Sequence, residues 1–129
     1  MRTAFWPWLA ALAALALAAP AASAADFSLR FSWAGIPACQ TLSPAFELAG
    51  VPAGSKRLRF EMKDLDVPGF RHGGSTIAYE RNSVRQGAIA YVGPCPPAGQ
   101  RHRYRWTVEA LDPTGKVLGT ASAEAVFPP

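Results

Sequence analysis

No H-E-x-x-H pair, no paired C-x-x-C and no G-x-S-x-G elbow occurs in the 129 residues. The first two spacings gather the ligands of many zinc sites, and the third presents an activated serine. Metal-assisted hydrolysis and serine acyl transfer therefore lack their common scaffolds, and no cofactor is implied. Cysteine and histidine are scarce, at two each. Internal repeats, acidic tails and low-complexity tracts are absent beyond the amino-terminal run, and no segment after that run carries a long helical stripe. The formal net charge is only +4, too mild a bias to identify a partner.

The amino terminus has the order of a secretory signal peptide. Arg2 supplies a positive start, "FWPWLAALAALALAA" runs apolar to Ala19, Pro20 breaks it, and "ASAAD" offers small residues. That order predicts a leader over residues 1–24 with cleavage after Ala24. The competing reading is a membrane anchor, but the run is short for a span and ends at a proline. No cysteine follows the expected cleavage point, which argues against a lipid anchor there. Residues 25–129 then suffice for one small domain with one core and no membrane span. Such a chain is expected in a bacterial periplasm or outside the cell, where nucleic acid is not an expected partner. Cys39 and Cys95 either pair as a disulfide, as export favours, or remain free thiols.

Alternation with period two dominates this part. Phe27, Leu29, Phe31 and Trp33 alternate with polar residues in "FSLRFSW". Leu58, Phe60 and Met62 do so in "KRLRFEMKD", and Tyr104, Trp106, Val108 and Ala110 in "RYRWTVEALD". These patterns predict half-buried strands. Shorter strands are expected over Ala45–Leu48, Ser75–Tyr79, Ala88–Val92, Val117–Leu118 and Ser122–Phe127. Turn-forming "AGIP", "AGVPAGS", "DVPG", "HGG", "VGPCPPAG" and "DPTG" separate them. The fold class is all-β, an antiparallel sandwich over residues 25–129.

The polar groups able to do chemistry are few. Asp64 and Asp66 follow the strand pattern that ends near Met62, and if that strand runs on to Asp66, both carboxylates share a face. His72 follows in "RHGG", and His102 precedes the Trp106 strand. The plain reading makes the aspartates turn formers and the histidines solvated loop residues. A metal site drawn from Asp64, Asp66, His72 and His102 has no motif behind it. The aspartates are too close in sequence for a glycosidase pair, and a disulfide would consume Cys95 as a nucleophile.

Two blocks resemble the phosphatidylethanolamine-binding protein (PEBP) family, in its bacterial branch often called Raf-kinase-inhibitor-like. "SPAFELAGVPAGSKRLRFEMKDLDVP", Ser43–Pro68, is similar to that family's "SP-x-L-x-W-x-G-V-P-x-G-T-K-S-L…D-P-D-x-P". "YVGPCPPAGQRHRYRWTVEALD", Tyr91–Asp112, is similar to its "G-Y-x-G-P-x-P-P-x-G-x-H-R-Y-x-F-x-L-x-A-L-D". The resemblance implies a β-sandwich with a small pocket for phosphate-like groups, and a binding protein rather than an enzyme. It places Asp64, His72, Gly93, Pro94, His102 and Tyr104 at the ligand, with Asp66 and Pro68 in support. It also implies a Cys39–Cys95 disulfide, since some exported relatives carry cysteines at these places. The expected partner is a small anion or a phospholipid headgroup. Asp64 would orient a histidine and hold its proton in place for that ligand.

The chain departs from the family pattern in four places. Leu65 follows the first aspartate in place of proline, Glu47 or Leu48 stands where tryptophan is usual, and the stretch from His72 to Tyr91 is short. The sequence stops after "EAVFPP", with no room for the carboxy-terminal helix of many relatives. These departures leave open an exported structural or protein-interaction module with a relict pocket. A small hydrolase using His72, His102 and Asp64 on water is a third reading, without a secure reaction behind it.

Overall fold

The computed structural model describes residues 2–4, 14–17 and 26–129. The expected cleavage point after Ala24 and most of the expected leader lie outside the described residues. Among those described, no helix occurs, and none is long and apolar enough to cross a membrane.

Seven strands form two antiparallel sheets. They are β1 (Ser28–Phe31), β2 (Phe46–Ala49), β3 (Arg57–Asp64), β4 (Thr76–Ala78), β5 (Ser83–Val84), β6 (His102–Leu111) and β7 (Val117–Phe127). One sheet has the order β1-β2-β5 and the other β4-β3-β6-β7. The expected all-β class and sandwich hold.

Alternation decides which face goes inward. Along β3, Leu58, Phe60, Met62 and Asp64 are buried while Arg57, Arg59, Glu61 and Lys63 face solvent. β6 buries His102, Tyr104, Trp106, Val108 and Ala110 on the same rhythm. β3 pairs with β6 over its full length, from Arg57 opposite Leu111 to Asp64 opposite Tyr104. Between the sheets, Phe46 sits 5.0 Å from Trp106 and 4.8 Å from Phe60 by ring centroids. Trp33 lies edge-on to Tyr104 at 5.8 Å. Each such side chain, fully buried, stabilises the fold by roughly 1.5–3 kcal/mol, so this aromatic block is the main cohesive element.

Three strand boundaries differ from expectation. Val117–Leu118 and Ser122–Phe127 belong to one continuous strand, β7, which pairs with the whole of β6 around an irregularity at Ala110 and Leu111. Ser83–Val84 forms β5, which was not expected. Ala88–Val92 is not a strand. Its amides are taken singly: Ile89 N–H donates to Ser43 Oγ at 3.1 Å, Ala90 N–H to Ser75 Oγ at 2.9 Å, and Val92 N–H to His72 O at 2.8 Å. With side chains taking two of these three donors, no ladder forms.

Cys39 and Cys95 form a disulfide with Cα atoms 4.5 Å apart. It ties the loop after β1 to the loop before β6. Cys39 N–H also donates to Pro94 O at 2.9 Å.

Candidate functional site

The end of β3 and the start of β6 lie side by side, so their inward residues meet at one end of the sandwich. There Asp64, His72, Gly93, His102 and Tyr104 line a cavity of about 390 Å³, with Val67, Phe70, Val92, Cys95 and Pro97 as its apolar wall. Five of the six residues expected at the ligand are thus brought together. The sixth, Pro94, is buried next to the cavity without lining it. Asp66 and Pro68 stand exposed in the loop after β3.

Asp64 ends β3 rather than letting it run to Asp66. Its Oδ1 accepts the Asp66 N–H at 2.9 Å and the Val67 N–H at 3.1 Å, which turns the chain. Its Oδ2 accepts the His102 Nδ1–H at 2.7 Å. Burial alone would push the Asp64 carboxyl up. The hydrogen bonds from His102, Asp66 and Val67 outweigh it and hold the pKa below the ordinary value. Asp64 is only 4% exposed, and its negative charge is spent inside the protein before any ligand arrives. Asp66 serves the frame: its Oδ2 accepts the Arg103 N–H at 2.7 Å, while the Arg103 side chain faces solvent.

His102 uses both ring nitrogens. Nδ1 faces Asp64, and Nε2 lies 3.0 Å from Gln100 Oε1. Sequence reasoning did not single out Gln100. The available signal was its i, i+2 spacing to His102, which turns both side chains the same way as the chain enters β6. His72 is held by Val92: its Nδ1–H donates to Val92 O at 2.7 Å. A carbonyl only accepts, so Nδ1 carries the proton and Nε2 is the atom left for another partner. The His72 ring is edge-on to Tyr104 at 5.6 Å. Burial, and then the charge of Asp64, push the Tyr104 phenol far above its usual range. Its hydroxyl therefore keeps its proton and can donate.

Gly93 is required for a reason other than ligand approach. A Cβ there would overlap the Gln40 carbonyl, so glycine lets the two loops joined by the disulfide meet.

Asp64, Asp66 and His102 each offer one potential metal-ligating atom, all within 4.8 Å of one another. Those atoms are engaged with each other or with Gln100 and the Arg103 amide, so an ion would have to dismantle the frame. The set does not fit a resident metal.

Known proteins extend these observations. Residues 69–127 match the family model described as phosphatidylethanolamine-binding protein. Escherichia coli YbcL, described as a member of the mammalian PEBP family, is 18% identical with a TM-score of 0.58, over 80% of this chain and 98% of that one. A putative PEBP homolog from Chlamydia trachomatis, CT736, is 21% identical with a TM-score of 0.53, over 83% of this chain and 99% of that one. At these identities the two structures show a shared fold. Among curated proteins, no sequence matches. Residues 69–127 are thus similar to the phosphatidylethanolamine-binding protein family, and the chain shares the fold of PEBP structures.

Proposed function

We propose that this is an exported, non-enzymatic binding protein whose cavity holds a small phosphate- or carboxylate-like group. The observation that carries the reading is the convergence of His72, His102 and Tyr104 on one cavity whose carboxylate, Asp64, is already engaged by three hydrogen bonds. Protonated imidazole and phenol groups donate, and an anion's oxygens accept. The remaining wall suits a ligand that carries an apolar part. Val67, Phe70 and Val92 are 46%, 51% and 49% exposed around the cavity, and covering them would add a hydrophobic contribution. A phospholipid headgroup or a free organic anion meets this description.

Calorimetric titration with phosphate from pH 8 to pH 5.5 tests the reading. Affinity is expected to rise toward the acidic end, because a protonated imidazole donates from both ring nitrogens and carries a positive charge. The His72→Leu variant, checked for an unchanged melting profile, should bind at least tenfold more weakly at pH 5.5. Flat affinity across the range, or no binding at millimolar phosphate, would sink the proposal. Generic phosphoesters incubated with the protein should remain intact.

A further inference from the structure

We infer that Gln100 is a built-in occupant of the anion position on His102, and that a ligand must displace its amide to reach that ring. The inference rests on the anion-binding reading above and adds a residue that sets its affinity.

His102 is buried, and both its nitrogens are already partnered, by Asp64 at 2.7 Å and Gln100 at 3.0 Å. The Asp64 bond belongs to the frame, because the same carboxylate caps the Asp66 and Val67 amides. The Gln100 bond does not. Gln100 is exposed, and its side chain makes no other hydrogen bond among the described residues. Leaving His102 would return its amide to water at little cost.

The backbone that delivers Gln100 is well fixed. Cys95 is anchored to Cys39, Pro96 and Pro97 set their own φ angles, and Gln100 N–H closes a turn on Pro97 O at 2.9 Å. Gly99 takes the positive φ of 79° that the turn needs. The side chain is therefore presented to His102 by a stiff turn while remaining free to rotate away.

The chemistry of the amide explains why such an occupant is useful. Its oxygen accepts from a protonated ring and its NH2 donates to a neutral one, so Gln100 satisfies His102 in either state. An ionised phosphate or carboxylate oxygen only accepts, so that oxygen replaces Gln100 on the protonated ring alone. The amide thus keeps a buried histidine satisfied when no ligand is present and lowers the affinity for weak acceptors.

The test uses the full chain, inorganic phosphate as probe, and the variants Gln100→Ala and Gln100→Glu. Removing the competing hydrogen bond should tighten phosphate binding by about three- to tenfold in Gln100→Ala. A carboxylate at the same place should weaken it at least tenfold in Gln100→Glu. A second readout needs no ligand: the His102 Nε2 resonance in 15N spectra should move in Gln100→Ala while that of His72 stays. Wild-type binding with equal or weaker binding by Gln100→Ala, or an unmoved His102 resonance, overturns this inference alone. Absence of phosphate binding in wild type and Gln100→Ala alike overturns the anion reading and the inference with it.

Discussion

Asp64 offers the sharpest separation between a structural carboxylate and an exposed turn former. Asp64→Ala removes three accepted hydrogen bonds. Two come from the amides of Asp66 and Val67, which lie in an exposed loop and can turn to water. Their loss costs about 0.5–1.5 kcal/mol each at most. The third comes from His102 Nδ1, which is buried and has no substitute partner. Breaking one side of a buried pair costs about 3–5 kcal/mol, so the total should lie at about 4–8 kcal/mol. Asp64→Asn keeps the shape and the oxygen that caps the two amides. It loses the charge and forces His102 to accept on Nδ1, which should cost about 1–2 kcal/mol. Urea unfolding followed by tryptophan fluorescence reads both values, since Trp33 and Trp106 are buried. The pH dependence carries a definite sign. Because folding lowers the Asp64 pKa from its ordinary 3.8, its contribution is full above that value and fades as pH falls through the lower folded value. The gap between wild type and Asp64→Ala should therefore shrink as pH falls below 4. Equal losses for Ala and Asn, a loss under about 1 kcal/mol for Ala, or a gap that grows below pH 4 would refute the account.

Other variants probe the frame around the site. Replacing Cys39 and Cys95 by serine opens a loop with a sequence separation of 56. Chain entropy alone then predicts a loss of about 4 kcal/mol, measurable as a lower urea midpoint with near-unchanged circular dichroism below the transition. Gly93→Ala drives a methyl into the Gln40 carbonyl and should cost about 3 kcal/mol, with a fall in phosphate affinity because Gly93 lines the cavity. Ser43→Ala leaves the Ile89 amide without its partner in a fully buried position. A loss of about 1–3 kcal/mol in urea unfolding is expected, and a loss below 0.5 would indicate that water replaces the hydroxyl.

How much of this was legible in the sequence depended on how each segment satisfies its backbone. β3 and β6 are long, alternate strictly and face one core, so their pattern announces them. β7 shows in the sequence as two pieces because "GTASA" replaces bulky inward residues with small ones beside the Trp106 region. β5 is two residues long, below any periodic signal. Ala88–Val92 looks like a strand because Ile89 and Tyr91 are both inward, but Ser43, Ser75 and His72 take its amides. Those partners are 46, 15 and 20 residues away, a distance at which local pattern says nothing. The site residues came through motif resemblance. Their connections did not: neither the His72–Val92 bond nor the Gln100–His102 bond has a signature strong enough to read without a fold.

Those connections decide what kind of pocket the chain holds. Every polar group in it is fixed through a second segment. Asp64 and Tyr104 are opposed in the β3–β6 ladder, and His102 is bound to Asp64. His72 exchanges two hydrogen bonds with Val92, whose neighbour Gly93 packs on the loop held by the disulfide. The short stretch between His72 and Tyr91 therefore does not leave His72 loose, because Val92 anchors it from beyond that stretch. A polar floor held this way loses little freedom when a ligand binds. The rim differs. Phe70 and Val67 sit in an exposed turn closed by one backbone bond, from Phe70 N–H to Val67 O at 3.0 Å, and their side chains are half exposed. Selectivity should then be strict for the anionic head and tolerant for the apolar part. A series of phosphate monoesters with methyl, butyl and phenyl groups should bind within about tenfold of one another, while uncharged analogues of each should not compete.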